Sequence, residues 1–148
     1  MAASPRRAGR PRKIVDLSEL KIGLKGSAEI TVQDEDTAPR IGSGRVHVLA
    51  TPVMINLMEA AALNAVERLL PHGHQSLGIR LDVGHYAATP VGMRLRATAE
   101  LTKVEGRTLE FRVEAFDDKE RVGDGLHKRV VVNVARFDER VQRKLRGG

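Results

Sequence analysis

The sequence predicts an α+β domain in which an antiparallel sheet of about five strands wraps around one long central helix. Three observations lead to this fold class. Residues 50–70 form a nearly all-apolar segment long enough for roughly five helical turns. Residues 24–32 before it, and four segments after it, alternate apolar and polar side chains as half-buried strands do. Short turn sequences join the later segments, which favours antiparallel pairing.

Length and composition limit the possible classes of protein. A chain of 148 residues suits one domain, large enough to bury a core without disulfides or a structural metal. The absence of cysteine excludes disulfides, thiolate zinc sites and a cysteine nucleophile. No apolar run is long enough to span a bilayer, and residues 1–14 lack the apolar part of a secretory signal. We therefore expect a cytoplasmic protein without a membrane partner.

The net charge of +6 is concentrated at the two ends of the chain. Residues 1–13 hold five basic residues and no acidic one, and we interpret them as a disordered basic tail. Gly9, Arg10 and Pro11 resemble the core of an AT-hook, a short arm that lies in the minor groove of DNA. We favour a solvated arm and do not expect nucleic acid as a partner. Residues 138–148 are predicted to be a second basic tail or a short helix.

The central helix has clear start and stop signals and carries one carboxylate, Glu59. Thr51 is predicted to be the N-cap, and Pro52 suits the first helical position. Pro71 and Gly73 end the helix. At helical spacing Glu59 shares a stripe that we expect to face the core, with Pro52, Ile55, Asn56, Ala62, Leu63 and Val66. An isolated carboxylate there would be costly or would have a raised pKa.

The remaining elements follow in order within a predicted domain of residues 14–137. Residues 24–32 form the first strand, 33–44 a loop and 45–49 a short lead into the helix. After the helix, apolar residues alternate from Leu77 to Val83, and the same count places His85 on their face. His85 and Glu59 should then point into one layer.

Three more strands complete the predicted sheet. Residues 93–102 alternate most regularly, and Glu105-Gly106 is a two-residue hairpin signal before the strand 109–115. Residues 122–135 form the last strand, in which Gly123 and Gly125 indicate a bulge or the close approach of a ligand. One helix cannot cover both faces of such a sheet, so the remaining apolar surface favours a second copy of the chain.

Four segments of the sequence resemble the hot-dog-fold thioesterases of the fluoroacetyl-CoA thioesterase-like family. They are ATPVMINLMEAAA, SLGIRLDVGHYAATPVG, TAELTKVEGRTLEFRVEA and GDGLHKRVVVNVARF, and the likeness covers about residues 15–140. The family's catalytic threonine, glutamate and histidine fall on Thr51, Glu59 and His85, and its carbonyl-binding glycine falls on Gly78. The resemblance implies an acyl-CoA thioesterase that forms a homodimer or a dimer of dimers, with the active site at the subunit interface.

These residue types suit thioester hydrolysis. Glu59 could act as a base on water or attack directly, and His85 could hold or move a proton near neutral pH. Backbone N–H groups at Gly78 and at the helix N-terminus could polarise the carbonyl. No metal or redox cofactor is implied, and coenzyme A enters only as part of the substrate. Thr51 and Glu59 lie about 12 Å apart along the helix, so Thr51 is expected to touch the substrate or a partner subunit instead.

Each candidate residue also has a structural explanation. Glu59 could be a structural acid paired with an arginine, His85 a satisfied core histidine, Thr51 only an N-cap and Gly78 a bulge glycine. Asn56 could hydrogen-bond Glu59 or be a buried amide tied to backbone. His127 and Arg129, which share one side of their strand, could contact the phosphates of coenzyme A or form an exposed strand face. His72 and His74 lack further metal ligands and are interpreted as loop residues.

The acyl group does not follow from the family resemblance, because pocket shape sets substrate choice. No aromatic residue precedes Tyr86, so the loop 33–44 offers no aromatic lid over the pocket, which argues against a role in fluoroacetate resistance. The alternative function is a non-catalytic acyl-CoA-binding protein with the same fold.

Overall fold

The computed structural model describes residues 15–147, so the predicted tail 1–13 and its AT-hook-like Gly9-Arg10-Pro11 lie outside the described residues. Within these residues the fold has five strands and three helices: β1 (Lys25–Thr31), α1 (Ala38–Ile41), α2 (Thr51–Val66), β2 (His74–His85), β3 (Arg94–Glu105), β4 (Thr108–Asp117), β5 (Arg121–Asn133) and α3 (Val134–Leu145). Short 3₁₀ turns occupy Asp34–Asp36 and Glu67–Leu69.

The strands form one antiparallel sheet in the order β1-β3-β4-β5-β2, and α2 packs on one face of it. The predicted α+β architecture is therefore confirmed. The alternating apolar residues of β3 and β4 are fully buried against α2, with Phe111 the largest side chain among them. Gly26 lets α2 approach β1 closely, because a Cβ there would overlap the backbone of Ala61 and Ala65.

Strand β2 contains an irregularity that the alternation of its sequence does not reveal. The pairing of β2 with β5 shifts between Gly78 and Arg80, as in a β-bulge. A one-residue shift moves later side chains to the other face. Before the bulge Ser76 pairs with Val131 and is buried, Leu77 pairs with Val130 on the other face, and Ile79, the extra residue in the bulge, is 54% exposed. The prediction that Leu77 and Ile79 share a face with His85 is therefore wrong.

The long helix starts one residue differently from the prediction and turns a different face to the sheet. Ala50 occupies the N-cap position and Thr51 is the first helical residue, without a side-chain capping bond, so the predicted N-cap role of Thr51 is wrong. The face on the sheet consists of Met54, Leu57, Met58, Ala61, Ala62, Ala65 and Val66. Within the predicted core stripe, Ala62 and Val66 are buried, whereas Glu59 is half-buried and Pro52 and Asn56 are exposed, so only part of the stripe faces the core.

The segments outside the sheet also differ in detail. The predicted loop 33–44 contains a 3₁₀ turn and α1, and a bridge between Thr37 and Leu49 ties it to the start of α2. The last strand ends at Asn133, whose side chain accepts the backbone N–H of Arg136 and caps α3. None of the side chains of α3 is buried. In residues 15–147 no helix has the length and apolar character that crossing a membrane requires.

Candidate active site

Thr51 and His85 form a hydrogen-bonded pair at one end of β2. The Thr51 hydroxyl oxygen lies 2.7 Å from Nδ1 of His85. Thr51 reaches this position because it begins α2, and His85 because it is the last residue of β2. A hydroxyl within hydrogen-bond distance of an imidazole is the arrangement that activates an oxygen nucleophile.

The environment of His85 favours the neutral imidazole. Burial lowers the pKa of His85, and a backbone hydrogen bond with Ala87 offsets that effect only in part. A neutral ring has one acceptor nitrogen, so Nδ1 can accept the Thr51 hydroxyl proton. Its Nε2 is buried and makes no hydrogen bond within residues 15–147.

Glu59, on α2, belongs to a second group of residues, which lies against the part of β2 that precedes the bulge. Its Oε2 is 3.2 Å from Nη1 of Arg129, and the Glu59 side chain is 34% exposed. The same oxygen sits close to the backbone of Gly78, because a Cβ built on Gly78 would lie 2.5 Å from it. The carboxylate is therefore paired with a cation and packed on glycine, rather than isolated on an apolar face.

Arg129 is buried and its guanidinium binds four protein atoms. Nε donates to the Ser76 hydroxyl at 2.8 Å, and Nη2 donates to the Ser76 carbonyl at 3.0 Å. Nη1 contacts both Glu59 and Nε2 of His127, each at 3.2 Å. Ser76 is held in turn by Glu67, which accepts its backbone N–H and its hydroxyl. This network fixes the guanidinium, and the guanidinium fixes the Glu59 carboxylate.

His127 completes the network as a neutral ring. Its Nδ1 donates to the carbonyl of Arg80 at 2.8 Å, which leaves Nε2 to accept from Arg129. Burial lowers the pKa of His127, the Arg80 carbonyl acts against this shift, and the charge of Arg129 adds to it. The ring also stacks on Phe111, with centroids 6.1 Å apart.

The structure thus divides the predicted site residues into two groups. Among residues 15–147 no hydrogen bond or ion pair joins Glu59 to His85, so the prediction that they meet is wrong within one chain. The stripe neighbour Asn56 is exposed and does not bond Glu59, contrary to both interpretations of it. His127 and Arg129 do share one side of β5, but they are buried, so the exposed-face interpretation is wrong.

Several positions acquire a different explanation from the one predicted. Gly123 and Gly125 allow a close approach of protein rather than of a ligand, since a Cβ on Gly123 would meet Met54 and one on Gly125 would meet β2. His74 is the first residue of β2, and its Nδ1 contacts the carbonyl of His72 at 3.0 Å. In the described residues, no three His, Asp or Glu side chains form a metal-binding group.

Sequence reasoning missed two parts of the site. Ser76 and Glu67 carry no recognisable signal, because a serine in a strand and a glutamate near a helix end are common. The other part is a pocket of about 310 Å³ beside Thr51 and His85. Segment 38–49 and residues 86–88 line the pocket, and Tyr86 is its aromatic residue.

Comparison with known proteins places this geometry in context. Residues 32–135 match the family model described as fluoroacetyl-CoA-specific thioesterase. The fluoroacetyl-CoA thioesterase of Streptantibioticus cattleyicolor is 43% identical over 101 residues, which are 68% of this chain and 73% of that protein. A solved fluoroacetyl-CoA thioesterase superposes with a TM-score of 0.80 at 34% identity, covering 84% of this chain and 97% of that one.

Two further structures extend the comparison. A variant of a fluoroacetyl-CoA-specific thioesterase in complex with fluoroacetate and CoA has a TM-score of 0.75 and 35% identity, covering 80% of this chain and 99% of that one. A thioesterase-superfamily protein of Thermus thermophilus has a TM-score of 0.78 and 28% identity, covering 86% and 97%. The hot-dog fold expected from the sequence is thereby confirmed.

Proposed function

Because the chain belongs to the fluoroacetyl-CoA-specific thioesterase family, we propose that it hydrolyses the thioester of a short acyl-CoA to the free acid and CoA. The observation that carries the proposal is the Thr51–His85 hydrogen bond, which lies beside a pocket. That pocket measures about 310 Å³, at the small end for ligand sites, which favours a short acyl group. Fluoroacetyl-CoA itself is not inferred, because substrate choice depends on pocket shape.

We propose that the complete site contains residues of two subunits. Strand β2 is a twelve-residue edge strand with one side unpaired within residues 15–147, and its exposed apolar residues include Ile79 at 54% exposure. A long apolar edge of this kind is a template for pairing with another strand. Pairing of two β2 strands around a two-fold axis would join two sheets and place both α2 helices on the same side.

The bulge in β2 sets which residues meet across this axis. If the two-fold axis lies at Asp82, Arg80 faces Gly84 of the partner subunit and lies diagonal to Asp82 of the partner subunit, whose charge it would offset. Because the bulge adds one residue, Gly78 takes the place opposite His85 of the partner subunit. The Glu59 group of one subunit then adjoins the Thr51–His85 pair of the other.

Two chemical routes use this arrangement. In one, Glu59 removes a proton from water as the water oxygen bonds to the thioester carbon. In the other, the Thr51 oxygen bonds to that carbon while His85 takes the hydroxyl proton, and water later releases the acid. In both, the C–S bond breaks and the thiolate of CoA takes up a proton. The second route agrees better with the hydrogen bond already formed between Thr51 and His85.

Thiol release tests the activity. We expect turnover on a panel of short acyl-CoAs by the wild type, and a large loss in Thr51→Ala, His85→Ala and Glu59→Gln. An acyl group attached to Thr51, found by mass spectrometry after rapid acid quenching, would support the threonine route, and its absence with full turnover would favour Glu59 and water. CoA binding without hydrolysis of any acyl-CoA would refute the enzyme and indicate the alternative, a non-catalytic acyl-CoA-binding protein.

A heterodimer tests whether the site is shared. Glu59→Gln and His85→Ala chains carrying different tags are co-expressed, and the mixed dimer is isolated. If Glu59 works with His85 of the partner subunit, one of the two sites is intact, and about half of the wild-type activity returns. If both residues act within one chain, each site keeps one defect and the heterodimer stays inactive. The two homodimeric variants are the controls.

A further inference from the structure

We infer that a groove between α3 and the β3–β4 hairpin is the binding site for the phosphate groups of the substrate's 3′-phosphoadenosine diphosphate end. The inference rests on the proposed function, because it assigns a further part of the same substrate. The groove has a volume of about 430 Å³ and is lined by Arg107, Asn133, Arg136, Glu139, Arg140 and Arg143. We call these residues the arginine groove.

The positive charge of the arginine groove favours the binding of an anion. Arg136, Arg140 and Arg143 stand at spacings of four and three on one side of α3, where like charges repel. In residues 15–147 none of the four arginines has a carboxylate within 4.0 Å, although Glu139 lies in the same groove. A phosphate accepts two N–H groups of one guanidinium and would relieve this repulsion.

The residues of the arginine groove are held in place by contacts with the rest of the protein and are not freely moving surface side chains. Arg107 is half-buried, and its carbonyl accepts the backbone N–H of Val131, which ties the hairpin to β5. The Asn133 cap fixes the first turn of α3. The Arg140 guanidinium stacks on the Phe137 ring at 5.9 Å from its centroid, which orients one of the cations.

The position of the groove also fits the shape of an acyl-CoA. Asn133 follows Arg129 by four residues on β5, roughly 13 Å along the strand. The arginine groove is thus separated from Glu59 and Gly78 by a stretch that the pantetheine arm could span. His127 and Arg129, which the sequence offered as phosphate ligands, are buried at 0% and 4% exposure and their polar atoms bind protein groups.

The test compares substrates with and without the phosphates. In the double variant Arg140→Gln, Arg143→Gln we expect KM for a short acyl-CoA to rise about tenfold or more with kcat unchanged. KM for the matching acyl-pantetheine should stay the same, because that substrate lacks the phosphates. Arg96→Gln is the matched control, since Arg96 is exposed on β3, has no ion pair in the described chain and does not line the arginine groove. An unchanged KM for acyl-CoA in the double variant would overturn the inference.

Calorimetry separates this inference from the proposed function. Free CoA and adenosine 3′,5′-bisphosphate should bind the wild type, and the double variant should bind both at least about tenfold more weakly, whether or not the protein hydrolyses thioesters. Equal affinities would refute the groove even if hydrolysis is found. Vesicles of phosphatidylglycerol test the competing ligand, a lipid surface, because α3 also has an apolar stripe. Loss of vesicle binding with unchanged CoA affinity would assign the arginines to a lipid surface and overturn the inference.

Discussion

Replacing Gly78 with alanine should disable the site while leaving the fold intact. A Cβ at this position would lie 2.5 Å from Oε2 of Glu59, whereas ordinary contact begins at 3.4 Å. The carboxylate must therefore retreat by roughly 1 Å, a misplacement that can cost about a hundredfold in rate. The backbone at Gly78 has no positive φ, and the displaced atom is the end of a flexible side chain. We therefore expect a change in stability below about 1 kcal/mol.

The assay measures kcat for a short acyl-CoA by thiol release and the free energy of unfolding by urea denaturation. Ser27→Ala is the control, because Ser27 is exposed on β1, at the other edge of the sheet from β2. It should retain wild-type kcat and stability. A Gly78→Ala enzyme within about threefold of the wild type would show that the position of the Glu59 carboxylate does not limit the reaction.

A double-mutant cycle identifies the cause of the loss. If alanine at position 78 acts by moving Glu59, adding it to a Glu59→Gln enzyme should cost much less than it costs the wild type. Additive effects of the two changes would instead show that Gly78 acts independently, for example through its own backbone on the substrate. Displacement of the Glu59 carboxylate would then be refuted as the cause, even if the single variant is inactive.

Three further predictions concern stability. Arg129→Met should lower the free energy of unfolding by about 1–3 kcal/mol, measured in urea, because buried polar atoms such as Nε2 of His127 lose their donor; an unchanged value would contradict the network. Burial lowers the pKa of His127 below 6.5, so the unfolded chain binds the proton first and the free energy of unfolding should fall as pH drops below 6.5, by at most about 1.4 kcal/mol per pH unit; urea titrations at several pH values should show a flatter dependence in His127→Gln. Gly26→Ala should lower the melting temperature through an overlap worth about 1–3 kcal/mol with the backbone of α2, and an unaltered melting temperature would refute that close packing.

The sequence predicted the sheet well because its strands obey one simple rule. In β3 and β4 every second residue is apolar, and those residues are the ones that α2 buries. Period-two alternation has a single physical explanation, one face inside and one outside. The hairpin itself was equally predictable, since Gly106 has the positive φ that its turn requires, but the prediction set the turn one residue early: Glu105 pairs with Thr108, and Gly106-Arg107 form the turn.

The same rule fails in β2, and the reason is physical. Leu77, Ile79, Leu81 and Val83 alternate without a break in the sequence, yet the bulge between Gly78 and Arg80 turns the first two to the opposite face. Because both faces of β2 carry apolar residues, the period-two pattern of its sequence does not reveal where the bulge reverses the faces. Helix α2 presents a similar ambiguity, because it is apolar nearly all round and its pattern does not identify the side that meets the sheet.

The geometry of helix and strand explains why a single chain separates the residues that the proposed reaction uses. Thr51 and Glu59 are about 12 Å apart along α2, and His85 and Gly78 are roughly 20 Å apart along β2. The Thr51–His85 bond joins one end of each element, and the contact of Glu59 with Gly78 joins positions farther along both. The Thr51–His85 pair and the Glu59–Gly78 contact therefore lie at different positions along α2 and β2. The distance between them is too long for a change of side-chain rotamer to bridge. In the proposed dimer, an antiparallel copy of β2 would reverse this order, so a two-fold axis would bring the Glu59 group of one subunit to the Thr51–His85 pair of the other without any movement inside either subunit.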